Sequence, residues 1–322
     1  MPGPAPLPSP GAVPSPLPQE LLRLVHPHLV PCPPAQNSAS PTGPPAITPL
    51  LPPTFPNVAS NAISLGGVAA VSAFFACPPA EAMARCLEAG LWPLRFLRNR
   101  GVLSPLDQAT LLRSRVTVLG CGGLGGYVLL LLARLGVGAL RFCDPDTFEE
   151  TNLNRQALCR EDRIGLNKAE AAKAELALVA SHVATECHPI AATPETLPAL
   201  LHGTHALVDC LDSIPARQYA AAAAVAHNVP FVHGTIAGWE GFALLCPATD
   251  NTFSRLYPPS KTAPAHGAEA TLGTPAPTPQ VTAALQAMLT LRALLPLHPS
   301  LPSPDILMHL DLGLPEIELL FV

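Results

Sequence analysis

Residues 116–125 read VTVLGCGGLG, a short apolar, β-branched run followed by glycines at 120, 122, 123 and 125. Such a run suits a buried parallel strand. The glycines let the chain turn tightly and bring backbone close to an anion. A helix is predicted next, over 127–135, with its first turn aimed at the glycines. Free N–H groups and the helix dipole favour negative charge there. A second strand, 139–143, then ends at Asp144, 24 residues after Gly120. That is near the spacing at which a carboxylate accepts hydrogen bonds from a ribose. Strand, glycines, helix, strand and acid in this order predict a nucleotide-binding unit.

The segment after the acid separates this chain from a hydride-transfer enzyme. Asp144-Pro145-Asp146 leads into Asn152-Leu153-Asn154-Arg155-Gln156. Hydride transfer requires no arginine directly after a ribose-binding acid. Phosphoryl and nucleotidyl transfer do require cations, because charge accumulates on phosphate oxygens in the transition state. Arg155 is permanently charged and forked to match those oxygens. Lys168 comes one segment later. Asp212, in the stretch VDCLDS that closes a predicted strand over 206–210, offers a hard oxygen to Mg²⁺. Ligands in open α/β sheets sit beyond the carboxyl ends of the strands. Gly122, Asp144 and Asp212 all fall at such ends, so one crevice is expected to hold them.

The remainder alternates in the same way. Helices are predicted over 168–181, 194–201, 215–227 and 280–295, the last beginning after Pro279. Strands are predicted over 185–188, 230–233 and 242–246, with a hairpin of 306–311 and 317–322 at the end. Strands alternating with helices predict an α/β fold: a Rossmann-like, mostly parallel sheet with helices on both faces and a C-terminal antiparallel extension. Three regions are expected. Residues 1–60 are proline-rich, holding 19 of the 41 prolines, and read as disordered or extended. Residues 61–114 form a helical lead-in, with a helix over 80–90, and residues 115–322 form the α/β domain. No Asp, Glu, Lys or Arg occurs from Leu24 to Ala80. Within that stretch, residues 62–76 are apolar but shorter than the ~20 residues of a membrane span. Gly66-Gly67 is expected to interrupt them. A packing element or recruitment surface is therefore expected, and no membrane association.

The formal net charge is −5, with only 13% charged residues. That balance argues against nucleic acid as the main partner, since phosphate-backbone binding needs a basic face. Nine scattered cysteines suit a reducing cytoplasm, and no secretory pattern opens the chain.

The four stretches GCGGLGG, DPDTFEETNLNRQ, GLNKAEAA and VDCLDSIPAR, in that order, resemble the ThiF/MoeB/HesA family of ubiquitin-activating-like adenylyltransferases. The resemblance covers roughly residues 94–322. It implies binding of ATP and Mg²⁺ and adenylation of the C-terminal glycine carboxylate of a small ubiquitin-like carrier protein of the MoaD/ThiS type. It implies that Gly120, Gly122, Gly123 and Gly125 cradle phosphate and that Asp144, with Asp146 beside it, serves the ribose end. Asn152, Arg155, Gln156 and Lys168 would contact phosphates, and Asp212 would hold the Mg²⁺. The family also supplies an arginine from the partner subunit. Here the stretch RFLRN offers Arg98, acting in trans in a homodimer. The chain departs from the family in lacking the paired cysteines of a structural zinc site, so no zinc is expected. It also lacks a cysteine in the crossover loop, residues 257–279. Adenylation alone is therefore expected.

Plainer readings of the same residues stand beside these. Asn152 suits a turn cap, Arg155 a surface ion pair, Lys168 an exposed helix residue and Asp212 a helix cap. Arg95 and Arg100 compete with Arg98. Arg217 supports Asp212 or is a surface charge. Cys121 reads as a packing residue and His233 as a satisfied core histidine. Two other functions remain open. One is adenylate formation on another substrate, such as a tRNA base or a peptide. The other is a non-catalytic nucleotide-binding scaffold.

Overall fold

A computed structural model describes residues 18–31, 61–249, 252–258, 268–295, 306–314 and 316–321. Two compact units meet in sequence between Leu112 and Arg113.

The first unit holds helix α1 (Gln19–Val25), strands β1 (Leu29–Pro31) and β2 (Asn61–Ile63), helices α2 (Leu65–Phe75) and α3 (Pro79–Glu88), strand β3 (Trp92–Pro93) and helix α4 (Pro105–Arg113). β2 lies between an antiparallel β1 and a parallel β3. Leu21, Val25, Ile63, Met83, Leu87, Trp92 and Phe96 are buried together. Part of the stretch expected to be extended or disordered is thus helix and strand, because Leu21 and Val25 find an apolar core to join. Residues 1–17 and 32–60 of that expectation lie outside the described residues. Gly66 and Gly67 do not interrupt α2. They sit in its first turn behind the N-cap Ser64, whose hydroxyl oxygen accepts from Gly67 N at 3.3 Å. A Cβ on Gly67 would fall 2.5 Å from Ile63 Cγ1, so the glycine lets the helix close onto β2. Among the described residues no single helix is long and apolar enough to cross a membrane. The pair α2 and α3, bent by 100°, passes by length and composition only.

The second unit is built on β4 (Arg115–Leu119), α5 (Gly125–Leu135), β5 (Ala139–Cys143), α6 (Lys168–Val179), β6 (Ala184–His188), α7 (Leu197–Leu201), β7 (Ala206–Asp209), α8 (Ile214–Ala226), β8 (Phe231–Ala237), β9 (Glu240–Cys246), α9 (Thr252–Leu256), α10 (Glu269–Leu272), α11 (Pro277–Leu294), β10 (Ile306–Asp311) and β11 (Glu316–Phe321). The strands form one sheet of order β11-β10-β9-β8-β7-β4-β5-β6. β8 to β6 run parallel, and β9, β10 and β11 join antiparallel. The fold expected from the sequence is the fold observed.

Strand order dictates where a ligand can sit. From β4 the chain moves outward through β5 to β6, then returns to the other side of β4 at β7 and moves outward to β8. Right-handed crossovers put the helices of the two excursions on opposite faces. α5 and α6 accordingly pack together, joined by α11, while α7, α8 and α9 pack on one another. The order reverses between β4 and β7, and the crevice beyond their carboxyl ends is the binding position of such sheets.

The boundaries differ from expectation for local reasons. α11 begins at Pro277, before Pro279, because a first-turn residue needs no N–H partner within the helix. β8 continues to Ala237 and turns at Gly238, with φ +59°, directly into β9. β7 stops at Asp209 and not at Cys210.

Candidate active site

Four of the five glycines directly after β4 divide into two pairs. Gly120 has φ +90°, and a Cβ there would lie 2.7 Å from Cys210 O. A Cβ on Gly125 would lie 1.9 Å from Gly120 O. These two positions admit only glycine because the turn closes on itself and presses against the segment after β7. At Gly122 the nearest neighbour of an added Cβ is Gln156 Nε2 at 3.6 Å, and at Gly123 it is Pro279 Cβ at 3.8 Å. The folded chain leaves those two backbones uncovered. Gly126 N donates to Gly122 O to open α5. Among the described residues no hydrogen bond takes the N–H of Gly122, Gly123 or Leu124. A row of untaken donors at the start of an 11-residue helix is an anion seat.

Asp144, just past β5, closes the side of that seat. It is 5% exposed. Its Oδ2 accepts from Cys121 N at 2.7 Å and its Oδ1 from Asp146 N at 2.9 Å. Each oxygen keeps capacity for a further donor. Burial raises its pKa above the ordinary carboxylate value; the two backbone N–H groups and Lys168 work against that rise. Lys168 is not a solvated helix residue. It begins α6, its side chain is largely buried, and its Nζ lies 3.0 Å from Asp146 Oδ2. Asn167 caps α6 through Oδ1 and donates from Nδ2 to the carbonyls of Asp144 and Asp146.

The segment 149–156 carries the other polar candidates. Asn152 is buried, and its side chain completes a capping box with Glu149, accepting from Glu149 N at 3.1 Å. Arg155 Nη1 donates to Thr151 O and to Asn154 Oδ1, both at 2.9 Å. Gln156 is 7% exposed and its Oε1 has no protein partner. An unsatisfied buried oxygen next to Gly122 is a group awaiting a donor.

Beyond β7 the sequence reading and the structure part ways. The residue that closes the strand is Asp209, fully buried, while Asp212 is exposed on the adjoining turn. Asp209 Oδ1 accepts from Leu211 N at 3.0 Å, and its Oδ2 lies 2.7 Å from His233 Nδ1. Arg217 is neither a surface charge nor a contact of Asp212. It is 4% exposed, lies 3.9 Å from Asp209 Oδ2, and donates from Nε and Nη2 to Leu211 O. His233 is a core histidine as expected, but only half satisfied, since its Nε2 has no partner. Burial lowers its pKa below 6.5 in spite of Asp209. It is neutral at pH 7, with Nδ1–H donating to Asp209. The signal for one pair in this network was present in the sequence. Asp209 interrupts the apolar run ALVDC, and His233 ends FVH, so consecutive parallel strands deliver a carboxylate and an imidazole to the same level.

Thus the structure joins the glycine turn to Asp144, to Cys210 and to Gln156, and joins Lys168 to Asp146. Arg98 lies in the other unit, exposed on the 3-10 helix Leu94–Asn99. Burial pushes the thiol of Cys143 up to about 12 and those of Cys121 and Cys210 well above the ordinary value. Thiols so held are packing groups, not nucleophiles.

The model of the ThiF family matches residues 96–311. Over 134 residues, 42% of this chain and 30% of the relative, the sequence is 35% identical to an adenylyltransferase and sulfurtransferase MOCS3 of Drosophila sechellia. It is 33% identical over 156 residues to the SAMP-activating enzyme E1 of Haloferax volcanii, 48% of this chain and 58% of that one. It is 34% identical over 139 residues to the sulfur carrier protein adenylyltransferase of Thermus thermophilus, 43% and 51%. The chain therefore matches between about a third and three-fifths of these relatives' lengths. Among solved structures it resembles PaaA, with TM-score 0.57 and 20% identity over 76% of this chain and 72% of that one. It also resembles the microcin C7 biosynthetic enzyme MccB in complex with N-formylated MccA, with TM-score 0.58 and 24% identity over 70% and 72%. At these identities the likeness is one of fold.

Proposed function

The chain belongs to the ThiF family, and on that premise we propose that it is an ATP-dependent adenylyltransferase. Its substrate is the C-terminal glycine carboxylate of a small ubiquitin-like sulfur-carrier protein. The relatives named for activating such carriers support this choice. One observation carries the reading. The untaken N–H groups of Gly122–Leu124 stand beside a buried carboxylate, Asp144, that is bonded to the same turn and has lone pairs to spare.

In this reading the phosphates lie over Gly122 and Gly123, and the ribose hydroxyls donate to Asp144. Gln156 Oε1 accepts from a nucleotide hydroxyl or a bound water. The carrier's carboxylate attacks the α-phosphorus in line. A carboxyl oxygen–phosphorus bond forms while the bond to the pyrophosphate oxygen breaks, and pyrophosphate leaves. No proton moves, because the carboxylate is already ionised at neutral pH. Arg155 and Lys168 hold positive charge against the phosphate oxygens as negative charge grows there. Arg98 of a second copy adds another cation, which makes the working unit a homodimer.

The described residues contain no group of three metal-ligating side chains. Mg²⁺ uses one or two carboxylates together with waters and phosphate oxygens. Asp212, exposed on the turn after β7, would hold it, and the ion when bound would supply charge neutralisation at the phosphates.

The test is ATP–pyrophosphate exchange with a carrier ending in Gly-Gly. Exchange that requires the carrier and disappears when its terminal glycine is removed is the expected result. Nucleotide binding without exchange, across carriers of this type, would leave a nucleotide-binding scaffold in its place.

A further inference from the structure

The turn Cys210–Asp212 does two jobs at once. Its first residue presents the carbonyl that floors Gly120, and its last is the exposed carboxylate Asp212. Between them Leu211 is gripped at both its backbone polar groups. Its N–H donates to Asp209 Oδ1 at 3.0 Å. Its carbonyl accepts from Arg217 Nε at 3.0 Å and Nη2 at 2.5 Å. Arg217 is itself braced, donating from Nη1 to Thr235 Oγ1 at 3.1 Å. From the opposite face of the sheet, Gln286 Nε2 donates to Asp209 O at 2.8 Å. Gln286 enters a slot that exists only because residue 234 is glycine, since a Cβ there would lie 2.2 Å from Gln286 Cδ.

Four elements thus converge on one three-residue turn: β7, α8, β8 and α11. The network includes a buried ion pair, Asp209 and Arg217, with side chains 0% and 5% exposed. Burying such a pair is a poor way to gain stability, because apolar residues of similar volume do as well or better. What it gives is a fixed geometry for the groups it touches. The turn fixed here carries Asp212 on one side and supports the anion seat on the other.

We propose that Arg217 is a positioning residue that holds Asp212 in place, acting through Leu211 together with Asp209 and Gln286. The assignment rests on the reading of Asp212 as the carboxylate for Mg²⁺. Arg217 touches no substrate. It sets the direction in which Asp212 leaves the strand and keeps the floor of the glycine turn in register with it.

Arg217→Lys tests this without stranding Asp209, because the charge stays and only the two-pronged grip on Leu211 is lost. Gln286→Met is a second variant, similar in shape and without the donor. Hydrogen exchange gives a readout independent of activity. In folded Arg217→Lys the amide of Leu211 should exchange at least tenfold faster, with β4 and β5 as protected as in the parent. Exchange at Leu211 within twofold of the parent in both variants overturns the proposal.

Mg²⁺-dependent ATP binding gives the second arm. Arg217→Lys should raise the Mg²⁺ midpoint about tenfold, and Arg217→Lys combined with Asp212→Asn should be no worse than Asp212→Asn alone. Fully additive losses would reduce Arg217 to a general structural residue and also overturn the proposal. A parent protein that binds no Mg²⁺·ATP would defeat the functional reading, and the exchange of Leu211 would still decide whether Arg217 fixes the turn.

Discussion

Two carboxylates flank the central strand β4, Asp144 beyond β5 and Asp209 at the end of β7, and both accept a backbone N–H from a neighbouring turn. There the likeness ends. Asp144 holds the glycine turn and keeps acceptor capacity unused, among untaken N–H groups and an unsatisfied Gln156 Oε1. Asp209 is fully buried, with its acceptors spent on Leu211, His233 and Arg217. The same chemical group is left unfinished on one flank and completed on the other. Unfinished polar groups at a strand end await a ligand, whereas completed ones fix the frame around it. Substitution of the unfinished groups on the β5 flank should therefore cost function, and loss of the completed Asp209 on the β7 flank should cost stability.

The largest effect belongs to the completed flank. Asp209→Ala strands the buried Arg217 guanidinium, which should lower the unfolding free energy by about 3–5 kcal/mol, read from urea denaturation. A loss under about 1 kcal/mol would break the comparison. Next comes Arg155→Ala, which removes a cation whose guanidinium bonds Thr151 and Asn154 at the surface. Carrier-dependent pyrophosphate exchange should fall on the order of 10²–10³, by analogy with removal of one preorganised donor. Its urea midpoint should stay at the parent value.

Gly122→Ala should be smaller. The added methyl meets nothing closer than 3.6 Å in the folded chain, so stability should change by less than about 0.5 kcal/mol. The methyl would occupy the phosphate seat, and ATP affinity should weaken about tenfold or more, by the ~1–3 kcal/mol typical of overpacking. Equal affinity in calorimetry would show that the seat lies elsewhere.

The smallest is a pH effect with an assignable sign. His233 has its pKa lowered by burial, so below 6.5 the unfolded chain takes up a proton that the folded chain resists. Its contribution to stability is present above pH 6.5 and is lost as pH falls from there through the folded value, by at most about 1.4 kcal/mol per pH unit. Asp144 has the opposite signature. Its raised pKa means that stability falls as pH rises from 3.8 through the folded value. His233→Asn keeps a donor near the position of Nδ1 and removes the titration. It should flatten the slope below pH 6.5, and an unchanged slope would assign that slope to other groups.

The parts of the molecule legible in the sequence are those governed by local chemistry. β-Branched runs between helical segments gave the sheet, and the glycines after Leu119 gave the turn. Lys168 was legible as a candidate because it opens a predicted helix one segment after Arg155, within the stretch GLNKAEAA. Asp209, Arg217 and His233 were not legible as a group. They are separated by 8 and 16 residues in the chain; Asp209 and His233 meet because β7 and β8 pair in register, and Arg217 reaches Asp209 from α8. The role of Gln286 was hidden by a different effect. α11 buries a polar row, Thr278, Thr282, Gln286 and Thr290, four residues apart. A sequence pattern places such a row on the solvent side of a helix. Here it fits against glycines of the sheet, since a Cβ at Gly241 would lie 2.0 Å from Thr282 Oγ1.

That polar row makes α11 a common rod for both flanks. Pro279, in its first turn, borders Gly123, and Gln286, two turns later, is bonded to Asp209. Inserting one residue between them would rotate one contact about 100° away from the other. The rod therefore sets a gauge between the glycine turn and the segment after β7, and any drift in its length or pitch would be felt at both ends together.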